Sequence, residues 1–99
     1  MGARFKWDTA KARRNHRAHG ISCEMAQEVF DDPNHIAAEN YFIESEGEQR
    51  YQVIGMARNL VLLLVVFVDR SGPETEAIHI ISARKAVDYE TSIYQDQFR

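Results

Sequence analysis

Seven side chains in the second half of this sequence could together act on a phosphodiester: Arg50, Tyr51, Arg58, His79, Arg84, Glu90 and Tyr94. The set suits metal-independent cleavage of RNA. There the ribose 2′-hydroxyl attacks its own phosphate, so the protein supplies no nucleophile. It supplies a base, an acid, and cations that stabilise the charge developing on the phosphate oxygens. Each residue also has a structural explanation. His79 is flanked by Ile78, Ile80 and Ile81, and a half-buried packing residue accounts for it better than a functional one. Arg84 falls at the start of a predicted helix, where a cation gains nothing from the dipole; an anion to be served and an ion pair with Asp88 both account for it. Tyr94 fits a core position as well as a functional one.

Other chemistries lack their residues. His16 and His19 stand three apart, His35 and His79 are remote, and no carboxylate follows at zinc-protease spacing, so no catalytic metal is expected. His19, just before Gly20, suits the last turn of a helix, where a histidine bonds free carbonyls. Cys23 is the sole cysteine and rules out an intramolecular disulfide. In the first turn of a helix its thiolate would gain some stability, but no nucleophile signature surrounds it and a half-buried spacer accounts for it better. The five glycines are scattered, with no phosphate-binding loop. A chain of 99 residues builds one modest core and has little wall to spare for a large cofactor. No cofactor is expected, and a shallow surface site for an extended ligand is.

Charge points the same way once it is read locally. The net charge is −3, yet residues 1–20 carry six cations (Arg4, Lys6, Lys11, Arg13, Arg14, Arg17) against Asp8 alone. Residues 21–49 carry eight acids and no Lys or Arg. Polyanion binding depends on such a patch rather than on the sum, although a solvated basic helix beside an acidic loop would have the same composition. The amino terminus has no apolar signal region, and Lys6 stands where a myristoylation motif takes Ser or Thr. The longest apolar run, Leu60 to Val68, is about half the ~18 residues of a membrane span. A cytoplasmic protein is expected.

The elements that must position these residues follow from spacing. Arg4 to Trp7 is a short strand. Asp8 caps a helix from Thr9 to His19, closed by Gly20, with a thin apolar face of Ala10, Ala12 and Ala18 that keeps it on the surface. Ser22 caps a second helix whose Met25, Ala26, Val29 and Phe30 face the core, ended by Asp31-Asp32-Pro33. Four strands are predicted next: Ile36 to Ile43, Gln49 to Ala57, Leu60 to Val68, and Glu76 to Ser82. The second has Tyr51 and Val53 on one face and Arg50, Gln52 and Ile54 on the other. The third is a continuous apolar run and so a central strand covered on both sides. Arg58-Asn59 makes a tight turn and residues 69–73 a loop. Ser82 then caps a last helix, Ala83 to Gln97, with Ala86, Tyr89, Ile93 and Tyr94 on its apolar side. The order β-α-α-β-β-β-β-α gives one α+β domain over 1–99, a helical pair covering one face of a mostly antiparallel sheet.

The motifs also carry a resemblance. Phe5-x-Trp7-Asp8, Lys11-Ala12-Arg13-x-Asn15 with His19-Gly20, Ala26-x-x-Val29-Phe30-Asp31-Asp32-Pro33, Gly47-Glu48-x-Arg50-Tyr51 with Gly55, and Ile80-Ile81-Ser82-Ala83-Arg84-Lys85-Ala86 with Glu90 and Tyr94 resemble BrnT-type toxins. These five blocks keep the family's order nearly end to end. The resemblance implies the ribonuclease half of a type II toxin–antitoxin pair with a RelE-like fold. It implies an RNA substrate, a BrnA-like antitoxin, and operator DNA bound only through that antitoxin. Arg50, Arg84, Glu90 and Tyr94 fall on motif positions, as do Lys11, Asn15 and His19 on the first helix. Three positions depart from the pattern. Ala18 replaces a usual basic residue, Cys23 a usual Phe, and His79 an Arg, so His79 is either a substitute acid or base or a mark of weakened activity.

On this footing Arg84 and Arg58 are expected to stabilise phosphate, and His79 or Tyr94 to move a proton. Lys11, Arg13, Arg14, Asn15, Arg17 and His19 on the first helix are expected to meet RNA or an acidic antitoxin. A non-catalytic toxin that binds a protein target, or a protein-interaction module of the same fold, is the alternative.

Overall fold

The computed structural model describes residues 4–99; Met1 to Ala3, on which the reading of the amino terminus rests, lie outside the described residues. The elements are β1 (Arg4–Lys6), α1 (Thr9–His19), α2 (Cys23–Val29), β2 (Ile36–Ala37), β3 (Tyr41–Ile43), β4 (Glu48–Met56), β5 (Leu62–Asp69), β6 (Ala77–Lys85) and α3 (Asp88–Asp96). The fold is α+β, as expected from the sequence. Among the described residues no helix is long and apolar enough to cross a membrane.

Both N-terminal helices start and stop where their caps dictate. The Asp8 carboxylate accepts from the Lys11 N–H at 2.9 Å and the Ser22 hydroxyl from the Met25 N–H at 3.1 Å. Gly20 closes α1 at φ 71°, a left-handed conformation that glycine takes without strain. No residue of α1 is buried, in keeping with its alanine-only apolar face.

The sheet runs β1-β6-β5-β4-β2, with β3 also paired to β4. β5 is central, and its continuous apolar run serves two cores. Leu63 and Val65 join Ile21, Ala26, Val29, Val53, Ile78, Ile80 and Ala83 beneath α2, whereas Leu64 packs with Ile54 and Tyr94 beneath α3. Helices therefore cover both faces. α3 covers only the end of its face, so the rest of that face is open. Gly55 sets the closeness of α2: a Cβ there would lie 2.6 Å from Val29 Cγ1 and 3.1 Å from the Val29 carbonyl oxygen.

Three elements differ from the sequence expectation. The segment Ile36 to Ile43 is two short strands rather than one, both antiparallel to β4. The third long strand starts at Leu62, because Leu60 sits at φ 67° in the turn and is 81% exposed. Ser82 does not cap a helix. Residues Ser82 to Lys85 continue β6, where Lys85, Arg84, Ala83 and Ser82 face Leu63, Leu64, Val65 and Val66. The helical propensity of Ala-Arg-Lys-Ala yields to that ladder and to burial of Ala83. The sheet is also mixed, since β1 runs parallel to β6 with Lys6 beside His79.

Candidate active site

The decisive local feature is a bulge in β6. Val66 faces Ser82 but the next residue, Phe67, faces Ile80, so Ile81 is an extra residue. Plain alternation would place His79 and Arg84, five apart, on opposite faces. The bulge reverses that parity. Residues directly opposite on neighbouring strands share a face, so His79 lies with Val68, Ser82 with Val66, and Arg84 with Leu64. Lys6, register partner of His79, is on this face too, whereas Phe5 packs into the core beneath α2. Arg84 and His79 thus bracket the Ser82–Val66 row, about 13 Å apart along the strand at ~3.3 Å per residue.

Arg84 is held by a carboxylate rather than by a helix end. Its Nη1 and Nη2 donate to Glu90 Oε1 and Oε2 at 2.7 and 2.8 Å, and Nη1 also donates to the Lys85 carbonyl at 3.2 Å. Glu90 Oε1 accepts from the Val87 N–H at 3.0 Å, which ties the pair to the start of α3. Asp88, the partner considered from sequence, makes no ion pair with it among the described residues. The fork-shaped pair raises the Arg84 pKa and holds the Glu90 carboxyl below its ordinary value. With 38% of its side chain exposed, Arg84 keeps an outer edge toward solvent.

Tyr94 answers to Asp32, a residue the sequence reading took only as a helix stop. The Tyr94 hydroxyl donates to Asp32 Oδ2 at 2.6 Å, and the same oxygen accepts from the Met56 N–H at 2.8 Å. Burial, reinforced by that carboxylate, pushes Tyr94 up to about 12. Burial also pushes Asp32 upward, but hydrogen bonds from Tyr94, Met56 and Asn34 outweigh it and hold its carboxyl low. A buried phenol that grips its proton in this way is a poor base. Its role is to pin α3 to the edge of β4.

Arg50 shares the face of Arg84 and His79, because Gln52 and Ile54 on its strand lie opposite Val66 and Leu64; the other candidates are dispersed. Arg50 is buried, 7% exposed, and its guanidinium is occupied by Glu46 at 2.8 Å and Glu48 at 3.0 Å. Glu48 in turn holds Arg70 at 2.8 Å. Arg58 is exposed on the β4–β5 turn and its partners are on or just after α2: its N–H donates to Glu28 and its guanidinium lies 3.6 Å from Asp31. It is therefore directed away from the face of Arg84 and His79. On α1, Lys11, Arg13, Arg14, Arg17 and His19 are exposed. Asn15 is structural: its amide donates to the Ile21 carbonyl at 3.2 Å and its carbonyl accepts from the Ala83 N–H at 3.0 Å. Cys23 is half-buried, and burial followed by the Glu24 charge pushes its thiol up rather than down. Among the described residues no three His, Cys, Asp or Glu side chains converge as metal ligands would.

A family profile described as "Ribonuclease toxin, BrnT, of type II toxin-antitoxin system" matches residues 7–90. The chain belongs to the BrnT family. Its fold is similar to the crystal structure of the Brucella abortus ribonuclease toxin, BrnT, at a TM-score of 0.54 and 22% identity, covering 88% of this chain and 100% of that one. A search among curated proteins gave no match. The BrnT match spans α1 through the start of α3, ending at Glu90. It therefore takes in both Arg84 and His79. Sequence reasoning missed Asp32, Lys6 and Arg70 as members of this neighbourhood. Asp32 lay within a quoted motif, but its partners are 24 and 62 residues away, and a local reading sees only the Asx-turn to Asn34 at 2.9 Å.

Proposed function

We propose that this chain is a metal-independent endoribonuclease, the toxin of a type II toxin–antitoxin pair, acting on the open part of the sheet face beside α3. The observation that carries the reading is the shared face of Arg84 and His79 in a chain of the BrnT family. An RNA phosphate lying over the Ser82–Val66 row meets Arg84 from one side and the imidazole from the other. The 2′-hydroxyl attacks phosphorus, its proton passes to His79, and Arg84 stabilises the pentacovalent oxygens. The P–O5′ bond breaks and the departing oxygen takes a proton from water, leaving a 2′,3′-cyclic phosphate and a 5′-hydroxyl. Glu90 positions Arg84, Tyr94 fixes α3, and Arg50 orders the acidic turn before β4.

Growth arrest by RNA degradation in the cytoplasm follows from this activity, with relief by a BrnA-like antitoxin through which operator DNA is reached. The exposed cations of α1 are the surface we assign to an acidic segment of that antitoxin. Changing Arg13, Arg14 and Arg17 to Glu should abolish the complex, and an intact complex would refute the assignment.

The test of cleavage is incubation of the purified, antitoxin-free protein with total RNA in EDTA, with Arg84→Ala alongside. Fragments bearing 5′-hydroxyl ends in the wild-type lane alone are expected. Intact RNA in both lanes, from protein shown to be folded, would overturn the reading in favour of a toxin that acts by binding a protein target.

A further inference from the structure

Beyond His79, on the side away from Arg84, the open face ends in a cleft of about 230 Å³ lined by Lys6, Arg70, Ala77, Ile78 and His79. Three basic side chains reach it from three separate segments. Lys6 arrives on β1, which is held parallel to β6 with Lys6 in register with His79. Arg70 arrives from the end of β5, its N–H donating to the Ala77 carbonyl at 2.8 Å. Arg70 is oriented through a relay, because the buried Arg50 fixes Glu48 and Glu48 holds Arg70. Among the described residues Lys6 and His79 have no acidic partner within 4.0 Å, and His79 makes no side-chain hydrogen bond. Basic side chains gathered from three segments, with the Lys6 ammonium free of any acidic partner among the described residues, form a site that favours an anion.

We propose that this cleft binds a phosphodiester of the RNA strand next to the one being cut, with Lys6 and Arg70 as its ligands. The inference rests on the cleavage reading above and adds a substrate subsite to it. The positions decide the assignment. Arg70 and Lys6 stand at or past His79 on the far side from Arg84, so a phosphate they hold is not the one Arg84 stabilises. The strand then runs along the open face from α3 toward β1, and the protein prefers substrates with at least one further phosphate.

Binding is measured by fluorescence anisotropy with an all-deoxy oligonucleotide, which lacks the 2′-hydroxyl and cannot be cut, over a range of salt. Lys6→Gln and Arg70→Gln should each weaken binding several-fold and flatten the log–log salt slope by about 0.7, the change expected when one phosphate of a single strand is no longer neutralised. Arg99→Gln, a matched charge removal at the chain end, should change neither. A structural role for Arg70 would lower thermal stability without altering the slope, and the exposed Lys6 provides an independent variant. Unchanged affinity and slope in both variants overturn the subsite, even where the wild type cuts RNA and the cleavage reading stands. Loss of antitoxin binding with oligonucleotide binding intact also overturns it and assigns the cleft to the protein partner. A wild type that binds through Lys6 and Arg70 yet never cuts RNA refutes the cleavage reading and leaves the phosphate subsite established.

Discussion

His79 and Arg84 share one face of the sheet although they are an odd number of residues apart, because Ile81 is bulged out of β6 between them. A bulge re-aims a side chain at the cost of one disrupted ladder position. Here it sets the one imidazole of β6 on the face that carries the Glu90-held guanidinium. Without it the histidine would point toward the core beneath α2 while Ile78 and Ile80 turned outward, and the open face would carry no titratable ring from this strand.

The first prediction concerns that imidazole. His79→Ala should lower RNA cleavage by roughly 10²–10⁴-fold, the usual worth of a positioned acid or base. Stability should change by less than about 1 kcal/mol, because His79 is only half-buried. His79→Arg places a permanent cation at this position, but an arginine cannot exchange protons near neutral pH. If proton transfer is the function, this variant binds RNA and cuts poorly. Full activity would show that the charge alone matters.

Arg84 and Glu90 can be separated by two substitutions. Arg84→Ala removes the proposed phosphate ligand and should cost about 10²–10³-fold in turnover. Its effect on unfolding should be about 1 kcal/mol, since a partly exposed ion pair is screened by solvent. Glu90→Gln can still accept from the Val87 N–H but leaves Arg84 without its charged partner. The guanidinium then loses its fixed direction, so cleavage should fall about tenfold while α3 stays folded by circular dichroism. Equal and complete unfolding of both variants would make the pair structural only.

Much of the scaffold was legible because it is written in local chemistry. Asp8, Gly20 and Ser22 mark both helices through caps that bond a few residues away, and the apolar run through β5 announces a strand buried on both faces. Where partners are distant the sequence fell silent. Ser82 to Lys85 reads as the start of a helix by propensity and becomes strand by pairing with β5. Asp32 reads as a stop and becomes the acceptor for Tyr94 and Met56. Arg50 and Tyr94 were found as motif positions, but only their surroundings separate a buried scaffold role from a catalytic one. The bulge at Ile81 has no local signature in Ile-His-Ile-Ile, so alternation alone would misplace His79.

Gly55 tests how tightly α2 must approach the sheet. Its backbone is extended, and the constraint is space. Gly55→Ala would drive a methyl against Val29 Cγ1 and the Val29 carbonyl oxygen, the second of which belongs to the backbone and cannot rotate away. Overpacking of this kind costs about 1–3 kcal/mol. A melting temperature lowered by several degrees, with RNA binding at low temperature preserved, is expected. A neutral or stabilising effect would mean that α2 shifts freely on β4.

The Tyr94–Asp32 bond predicts opposite pH limits for the same pair. Tyr94 is 5% exposed and titrates at about 12 when folded against 10 in the unfolded chain. Its stabilising contribution is complete below pH 10 and disappears as pH rises toward 12, by about 3 kcal/mol at 1.36 kcal/mol per unit. Asp32 has its folded value lowered from 3.8, so its contribution is present above that pH and disappears as pH falls through the lower folded value. Tyr94→Phe removes this alkaline decline, because no phenol remains at this position to ionise. It also takes one of three hydrogen bonds from Asp32, shrinking the acid decline and costing about 1 kcal/mol at neutral pH. Urea unfolding midpoints across pH 3–11 check both limbs. An unchanged decline above pH 10 in Tyr94→Phe would assign the alkaline transition to another tyrosine or a lysine, and with it remove the case that this phenol pins α3 to β4.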